Sequence, residues 1–157
     1  MEVCYISTPL GIAKIIGDEA GISSIYMLDE SIPVTEIIPP HLKDSATQLT
    51  EYFESSRKDF NLKLNPQGTD FQKTVWTELL RIPYGKTISY LELSKELGDV
   101  NAIRAVAAAN GKNPLWIVVP CHRVIGSDGN LTGYAGGLPR KKALLELEGS
   151  ITQMSLF

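Results

Sequence analysis

The chain has 157 residues, of which 43% are hydrophobic and 21% charged. That balance excludes a disordered polymer and suits one ordinary domain or two small ones. The net charge of −3 argues at first against a nucleic-acid partner, but it is unevenly spread: residues 1–68 carry 5 basic and 10 acidic side chains (−5), residues 69–157 carry 10 and 8 (+2). The second part is therefore mildly basic, which permits contact with DNA without requiring it. No apolar run approaches the roughly 20 residues that span a bilayer, and the first residues lack the basic-then-apolar order of a secretory leader, so no membrane partner and a cytoplasmic location are expected. The two cysteines, Cys4 and Cys121, are too few for a disulfide framework, and a reducing compartment would keep both as thiols.

In chain order, Val3–Ile6, Gly11–Ile16 and Gly21–Leu28 are short β-prone runs broken by Pro9, Gly11, Gly17 and Gly21, which predicts a small antiparallel sheet. From Pro40 the pattern changes. Leu42, Ala46, Leu49 and Phe53 recur at helical spacing, and Asn65-Pro66-Gln67-Gly68 reads as a linker. The boundary is placed there, giving domains 1–68 and 69–157. The second domain reads as mostly helical. Phe71, Val75, Leu79 and Leu80 predict one helix face, ended before Pro83-Tyr84-Gly85. Ser89 and Glu92 make a capping-box pattern for a helix carrying Tyr90, Leu93 and Leu97 and ending at Gly98. Asn101 is the expected cap of the next helix, with Ile103, Val106 and Asn110 on one face and Gly111 closing it. Two short helices so joined are a helix-turn-helix candidate. Leu115–Val119 reads as a strand, a glycine-rich looped region follows, and Pro139 suits the first turn of a last helix ending at Gly149. The fold class is α/β: a small N-terminal β-sheet-plus-helix domain, then a mostly helical domain with a helix-turn-helix.

The sharpest chemical feature is Pro120-Cys121-His122-Arg123-Val124. A cysteine attacks as thiolate and needs a base or positive surroundings to ionise near neutral pH; His122 and Arg123 supply both. Alone, Cys121 would be a buried structural thiol and His122 a satisfied core histidine. On an extended segment their side chains point to opposite faces, so a bridging water suits the pair better than direct contact. Glu148 falls near the inward side of the last helix, where a carboxylate needs a partner. His122 is a suitable one, giving a thiol, base and orienting acid; the competing expectation is a solvated carboxylate at a helix end, slightly unfavourable against the dipole. Arg104 rises from an alanine-rich helix, where it is either an exposed arginine or a side chain able to fill a base-pair gap. Cys4, His41, Cys121 and His122 lack the close paired spacings of zinc sites, so no metal is expected.

These residues resemble the O6-alkylguanine-DNA alkyltransferases, the methylated-DNA–protein-cysteine methyltransferases. The matching runs include Phe71-Gln72, Ile82-Pro83-Tyr84-Gly85-Lys86-Thr87, Ser89-Tyr90, Arg104-Ala105-Val106, Asn113-Pro114, Pro120–Val124, Gly133–Leu138 and Leu147-Glu148-Gly149. The likeness covers 69–149 well and the first part more loosely, through Tyr52-Phe53 and Phe60-Asn61-Leu62. It implies irreversible, single-turnover transfer of the alkyl group from O6-methylguanine in duplex DNA to Cys121 after base flipping, with no cofactor, by a monomer bound through the minor groove. It further implies that His122 deprotonates Cys121 through a water, that Glu148 orients His122, and that Asn113 joins the DNA-binding helices to the active-site strand. Tyr90, Arg104, Gln72 and Ser127 would contact DNA, with Tyr90 pressing on the phosphate beside the target and Arg104 filling the vacated place. Tyr134, Ala135 and Val124 would wall the guanine pocket, and the acidic first domain would be a support. The zinc ligands of some relatives are not matched, and Trp116 stands where relatives more often have a smaller residue or proline, which leaves the range of alkyl groups open; activity on O4-methylthymine is open as well. Two other readings compete. A helix-turn-helix protein that binds damage without chemistry leaves Pro120–Val124 unexplained, and a turnover thiol hydrolase leaves the DNA-binding helices unexplained.

Overall fold

The computed structural model describes residues 1–151, so the last residues of the expected second domain lie outside it. The chain divides into two compact units, Met1–Gln67 and the part from Gly68 onward.

In the first unit, β1 (Glu2–Thr8), β2 (Gly11–Asp18) and β3 (Gly21–Leu28) form an antiparallel sheet in that order. Strand alternation puts Cys4, Ile6, Ala13, Ile15, Ile25 and Met27 on one face, all buried. Leu42, Ala46, Leu49 and Tyr52 are buried with them, carried by a single 3₁₀ turn at Pro40–Leu42 and by α1 (Lys43–Phe53). The expected stripe was one residue off at its end: Tyr52 is fully buried and Phe53 only partly so, its ring set edge-on to Tyr52 at 5.3 Å. Positions 42, 46, 49 and 53 and positions 42, 45, 49 and 52 both follow helical spacing, and here it is the tyrosine that takes the interior. Gln48 then holds the chain's return, its amide bonding both the N–H (2.8 Å) and the C=O (3.0 Å) of Asn61.

The second unit opens on α2 (Asp70–Leu79). Its start is a full capping box: Gln72 N–H donates to Thr69 Oγ1 (3.1 Å) and Thr69 N–H donates to Gln72 Oε1 (2.9 Å). At Ser89 the helix is capped by the serine hydroxyl, which accepts from the Glu92 N–H (3.0 Å). On α2 the buried face is Val75, Trp76 and Leu79, whereas Phe71 and Leu80 are exposed, contrary to the expected stripe. Trp76 goes inward because its indole N–H finds the carbonyl of Ala109, 2.8 Å away. Gly68 permits this, since a Cβ there would come within 2.5 Å of the Trp76 ring.

Next come β4 (Ile88–Ser89), α3 (Tyr90–Glu96) and α4 (Ile103–Gly111), the last two forming the helix-turn-helix. The connection is capped by Asp99, which accepts from the Asn101 N–H (2.9 Å) and starts a 3₁₀ turn over Val100–Ala102. Asn101, the expected cap, lies inside that turn. Leu115–Val119 is not a strand. It winds through tight turns, with Val119 N–H on the Leu115 carbonyl (3.0 Å), Val118 N–H on the Trp116 carbonyl (2.9 Å), and Ile117 at φ 74°. Five consecutive apolar residues read as a strand because burial, not alternation, sets that run. Cys121–Arg123 is a 3₁₀ turn, and β5 (Val124–Ile125) then pairs in parallel with β4, Ile88 beside Val124 and Ser89 beside Ile125. α5 (Leu138–Leu147) closes the described chain, with Pro139 in its first turn, Glu148 as its cap and Gly149 at φ 78°. Among the described residues no helix is long and apolar enough to cross a membrane.

Candidate active site

The parallel pair β4–β5 ties the start of α3 to the segment that leaves Cys121. The nucleophile candidate therefore sits beside the first helix of the helix-turn-helix. Cys121 is 3% exposed and lies on a cavity of about 470 Å³ that it shares with Tyr90, Asn110, Thr132, Tyr134 and Ala135, among others. Burial pushes its thiol up to about 11, against the pull of the Asn113 amide and the charge of Lys141. The resting form is the thiol, so a base must act when it reacts.

His122 and Arg123 do not diverge as an extended segment would send them. A 3₁₀ turn places successive side chains about 120° apart, and both reach Glu148. His122 Nε2 lies 2.8 Å from Glu148 Oε2; Arg123 donates from Nε to Oε1 (2.8 Å) and from Nη2 to Oε2 (3.0 Å). All three side chains are buried. Burial alone would raise the Glu148 carboxyl, but the hydrogen bonds from His122 and Arg123 and the Arg123 charge overcome it and hold the group down at about 2. An ionised Glu148 accepts only, so His122 must carry its proton on Nε2 and keep a lone pair on Nδ1. Burial also pushes the imidazole below its ordinary value despite Glu148, leaving it neutral, with the Nδ1 lone pair available to take a proton. Its Nδ1 is buried and has no hydrogen-bond partner among the described residues. Arg123 is anchored further by donating from Nη1 to the Ile82 carbonyl (2.7 Å), with Tyr84 lying 5.7 Å from its guanidinium.

Asn113 is buried and pins the turns before Cys121. Its amide donates to the Val119 (2.8 Å) and Leu115 (3.3 Å) carbonyls and accepts from the Leu115 N–H (2.9 Å). Tyr134 and Ala135 line the cavity; Val124 does not, being fully buried in β5. Tyr90 lies on the cavity too, its hydroxyl 3.3 Å from Thr132 Oγ1. Arg104 is exposed on α4 between Ile103 and Ala105, and Ser127 is exposed in the turn after β5. The Gln72 side-chain oxygen is engaged in the capping box, away from any ligand role of that atom. Among the described residues no group of three or more His, Cys, Asp or Glu side chains is placed to hold a metal ion.

Lys141 was missed. It is fully buried on α5, and its ammonium donates to the carbonyls of Val124 (2.7 Å), Gly133 (3.1 Å) and Leu131. It thus fastens the glycine-rich wall of the cavity to β5. Burial lowers it to about 8. The signal was available: Lys141 shares the inward spacing of Leu144, Leu145 and Glu148, a charge on an apolar stripe.

A family model described as the DNA binding domain of 6-O-methylguanine DNA methyltransferase matches residues 70–150, and one for the ribonuclease-like domain of the same protein matches 3–66. The chain belongs to the 6-O-methylguanine DNA methyltransferase family. Among similar members, a methylated-DNA–protein-cysteine methyltransferase of Methanosarcina acetivorans is 43% identical over 96% of this chain and 99% of its own length. One from Mycobacterium bovis is 44% identical over 92% and 90%. The crystal structure of the Mycobacterium tuberculosis O6-methylguanine methyltransferase superposes with a TM-score of 0.84 at 42% identity, covering 99% of this chain and 98% of that one. Another structure of the M. tuberculosis protein, in complex with DNA, gives 0.83 at 43% identity, covering 97% and 95%. The two-unit order of this methyltransferase, sheet first and helices after, is that of these relatives.

Proposed function

We propose that the protein repairs DNA by moving the alkyl group of O6-alkylguanine onto Cys121, once and irreversibly. The activity is that of its family, alkyl transfer from methylated DNA to a protein cysteine, and the relative bound to DNA supports DNA as the partner. The observation that carries the assignment to Cys121 is the buried His122 Nδ1, left without a partner among the described residues by a ring whose other nitrogen is held by Glu148.

The chemistry follows. His122 Nδ1 takes the Cys121 proton through one water, and Glu148 steadies the imidazolium that forms. The sulfur attacks the alkyl carbon, a C–S bond replaces the C–O bond, and the bonding pair leaves on the guanine. The proton lost by Cys121 replaces the alkyl group on the base, so charge balances and guanine is restored. No cofactor enters, and the thioether has no cheap route back. The base is flipped out to reach the sulfur, with Tyr90 beside its phosphate and Arg104 filling the gap. Docking is through the minor groove, whose poor sequence information suits a protein that must scan any sequence. The acidic first unit is a support, the protein acts as a monomer, and the setting is the cytoplasm.

The test is the intact mass after exposure to a duplex holding one O6-methylguanine. The protein gains one methyl group, mapped to Cys121 and not to Cys4, whose thiol is raised to about 11 by burial in the sheet face of the first unit. Cys121→Ser binds the duplex and gains nothing, because a hydroxyl is a far weaker nucleophile than a thiolate. Transfer by the serine variant, or repeated turnover on one chain, overturns the assignment.

A further inference from the structure

The last helix is closed firmly. Gly149 N–H bonds to the Glu146 carbonyl (3.0 Å), Ser150 N–H reaches back to that of Leu145 (2.9 Å), and Gly149 at φ 78° takes the left-handed turn that ends α5. The match to the family's DNA-binding domain stops at the same place, residue 150. The sequence goes on through Ile151-Thr152-Gln153-Met154-Ser155-Leu156-Phe157, and all of this run after Ile151 lies outside the described residues. None of these side chains has a part in the transfer chemistry. Their composition is that of a recognition peptide. The seven residues carry no charge, and Met154, Leu156 and Phe157 are apolar. A segment that only solvates is rich in charge and poor in aromatics, whereas the centres of protein contacts are depleted of charge and enriched in Phe and Met. Leu156 and Phe157 side by side make one compact apolar anchor. Gln153, three residues earlier, adds an amide that both donates and accepts. Six residues beyond Ile151 can reach about 20 Å at full extension, enough to set this anchor clear of the domain.

The partner follows from what the rest of the chain lacks. Its electrostatic hold on DNA is slight, with a net charge of −3 and only +2 on residues 69–157. Lesions fall at any sequence, so a partner fixed at one site would hold the methyltransferase away from most of them. A protein ring that encircles the duplex is held by topology, needs neither charge nor sequence, and raises the effective concentration of whatever is docked on it along the DNA. We propose that Gln153–Phe157 is a docking peptide for such a DNA-encircling sliding clamp, with Leu156 and Phe157 anchored in an apolar pocket of the ring and the Gln153 amide bonded at its polar rim. The docking is a matter of binding and stands apart from the proposed alkyl transfer, which enters only in the rate measurements.

The test sets the full chain, a double variant with Leu156→Ala and Phe157→Ala, and Gln153→Ala against the purified replication sliding clamp of the same organism. Melting curves and methyl transfer to a short linear duplex should be the same for all three, because the run lies beyond the closed end of α5. By calorimetry the full chain should bind the clamp, and a synthetic Ile151–Phe157 peptide should compete for the same place. Loss of both anchors should weaken binding by roughly thirtyfold or more, and loss of the amide by roughly five- to tenfold. On a closed circular duplex holding one O6-methylguanine and a loaded clamp, the unaltered protein should react faster than without the clamp, and the double variant should gain nothing. No binding of the full chain to the clamp, or an affinity that the double variant keeps, overturns the proposal. So does capture of the full chain by phosphatidylcholine vesicles in place of the ring, which would make the run a lipid contact. Early melting or lost transfer on the short duplex in the variants would assign the run to the fold and overturn it as well. A failure of methyl transfer with clamp binding intact would instead strike the proposed reaction and leave the docking standing.

Discussion

At His122 the geometry decides how the reaction responds to pH. The reacting pair is a thiol and a neutral imidazole. Its population is constant between the pKa of His122, pushed below 6.5 by burial, and that of Cys121, raised to about 11. Below the lower value His122 takes a proton from solvent and can no longer take one from Cys121. The transfer rate should therefore be flat from about pH 7 up to the value near 8 at which buried Lys141 begins to lose its charge, and its acid limb should fall below 6.5. A limb centred above 6.5 in single-turnover rates would mean that Glu148 keeps the ring charged. Trp116 raises a different question at the same scale. It does not line the cavity, nor is it fully buried. Its ring lies 5.8 Å from that of Tyr134, tilted by 49°, and a Cβ on Gly136 would meet both rings, at 2.7 and 3.0 Å. The indole thus braces a pocket wall from behind. Trp116→Ala should let Tyr134 withdraw and raise the ratio of O6-benzylguanine to O6-methylguanine rates. The loss of stability should be less than the roughly 3–5 kcal/mol of a fully buried tryptophan. Rate ratios with a melting curve check both; an unchanged ratio means Tyr134 needs no brace.

Among the elements, α4 presents Arg104 to solvent beside the exposed Ala105 and Ala108. Small neighbours let the helix approach a duplex closely, and the arginine alone projects. Extruding a base costs a few kcal/mol, and only the duplex route includes that step. Arg104→Ala should accordingly slow repair in duplex DNA by at least tenfold more than reaction with the free modified base; equal slowing on both would move Arg104 into folding or chemistry. The elements also show what the sequence could carry. Three strands, the helix-turn-helix and the last helix were legible because turn glycines, Ser89 and Pro139 mark their edges. Leu115–Val119 was not, since five apolar residues look alike whether they run as a strand or coil through turns held by Asn113. The same limit hid the site's wiring. Glu148 was legible as an inward carboxylate, but its double clasp by Arg123 depended on a 3₁₀ turn that no local pattern announces. Gln72 was expected to contact DNA, whereas its side-chain oxygen accepts from the Thr69 N–H at the start of α2.

For the whole molecule, charge sets how the protein meets DNA. The first unit is acidic and the second only slightly basic, for a total of −3. Affinity for undamaged duplex should weaken as salt rises, because bound phosphates release counterions. The slope should be much shallower than that of a repressor that closes on about ten phosphates, and a titration of affinity against salt measures it. A steep slope would require a larger basic footprint than the described surface offers.

A reagent that works once must still be fresh when it is needed. Oxidation of cysteine follows thiolate character and exposure, and Cys121 has little of either, with 3% of its surface open and its thiol raised to about 11. The same burial that obliges His122 to act at the moment of reaction keeps stray oxidants and small electrophiles from spending the sulfur beforehand. For a protein counted out one molecule per lesion, that is shelf life: the repair capacity of a cell is a stock rather than a rate, and the burial of the sulfur guards the stock.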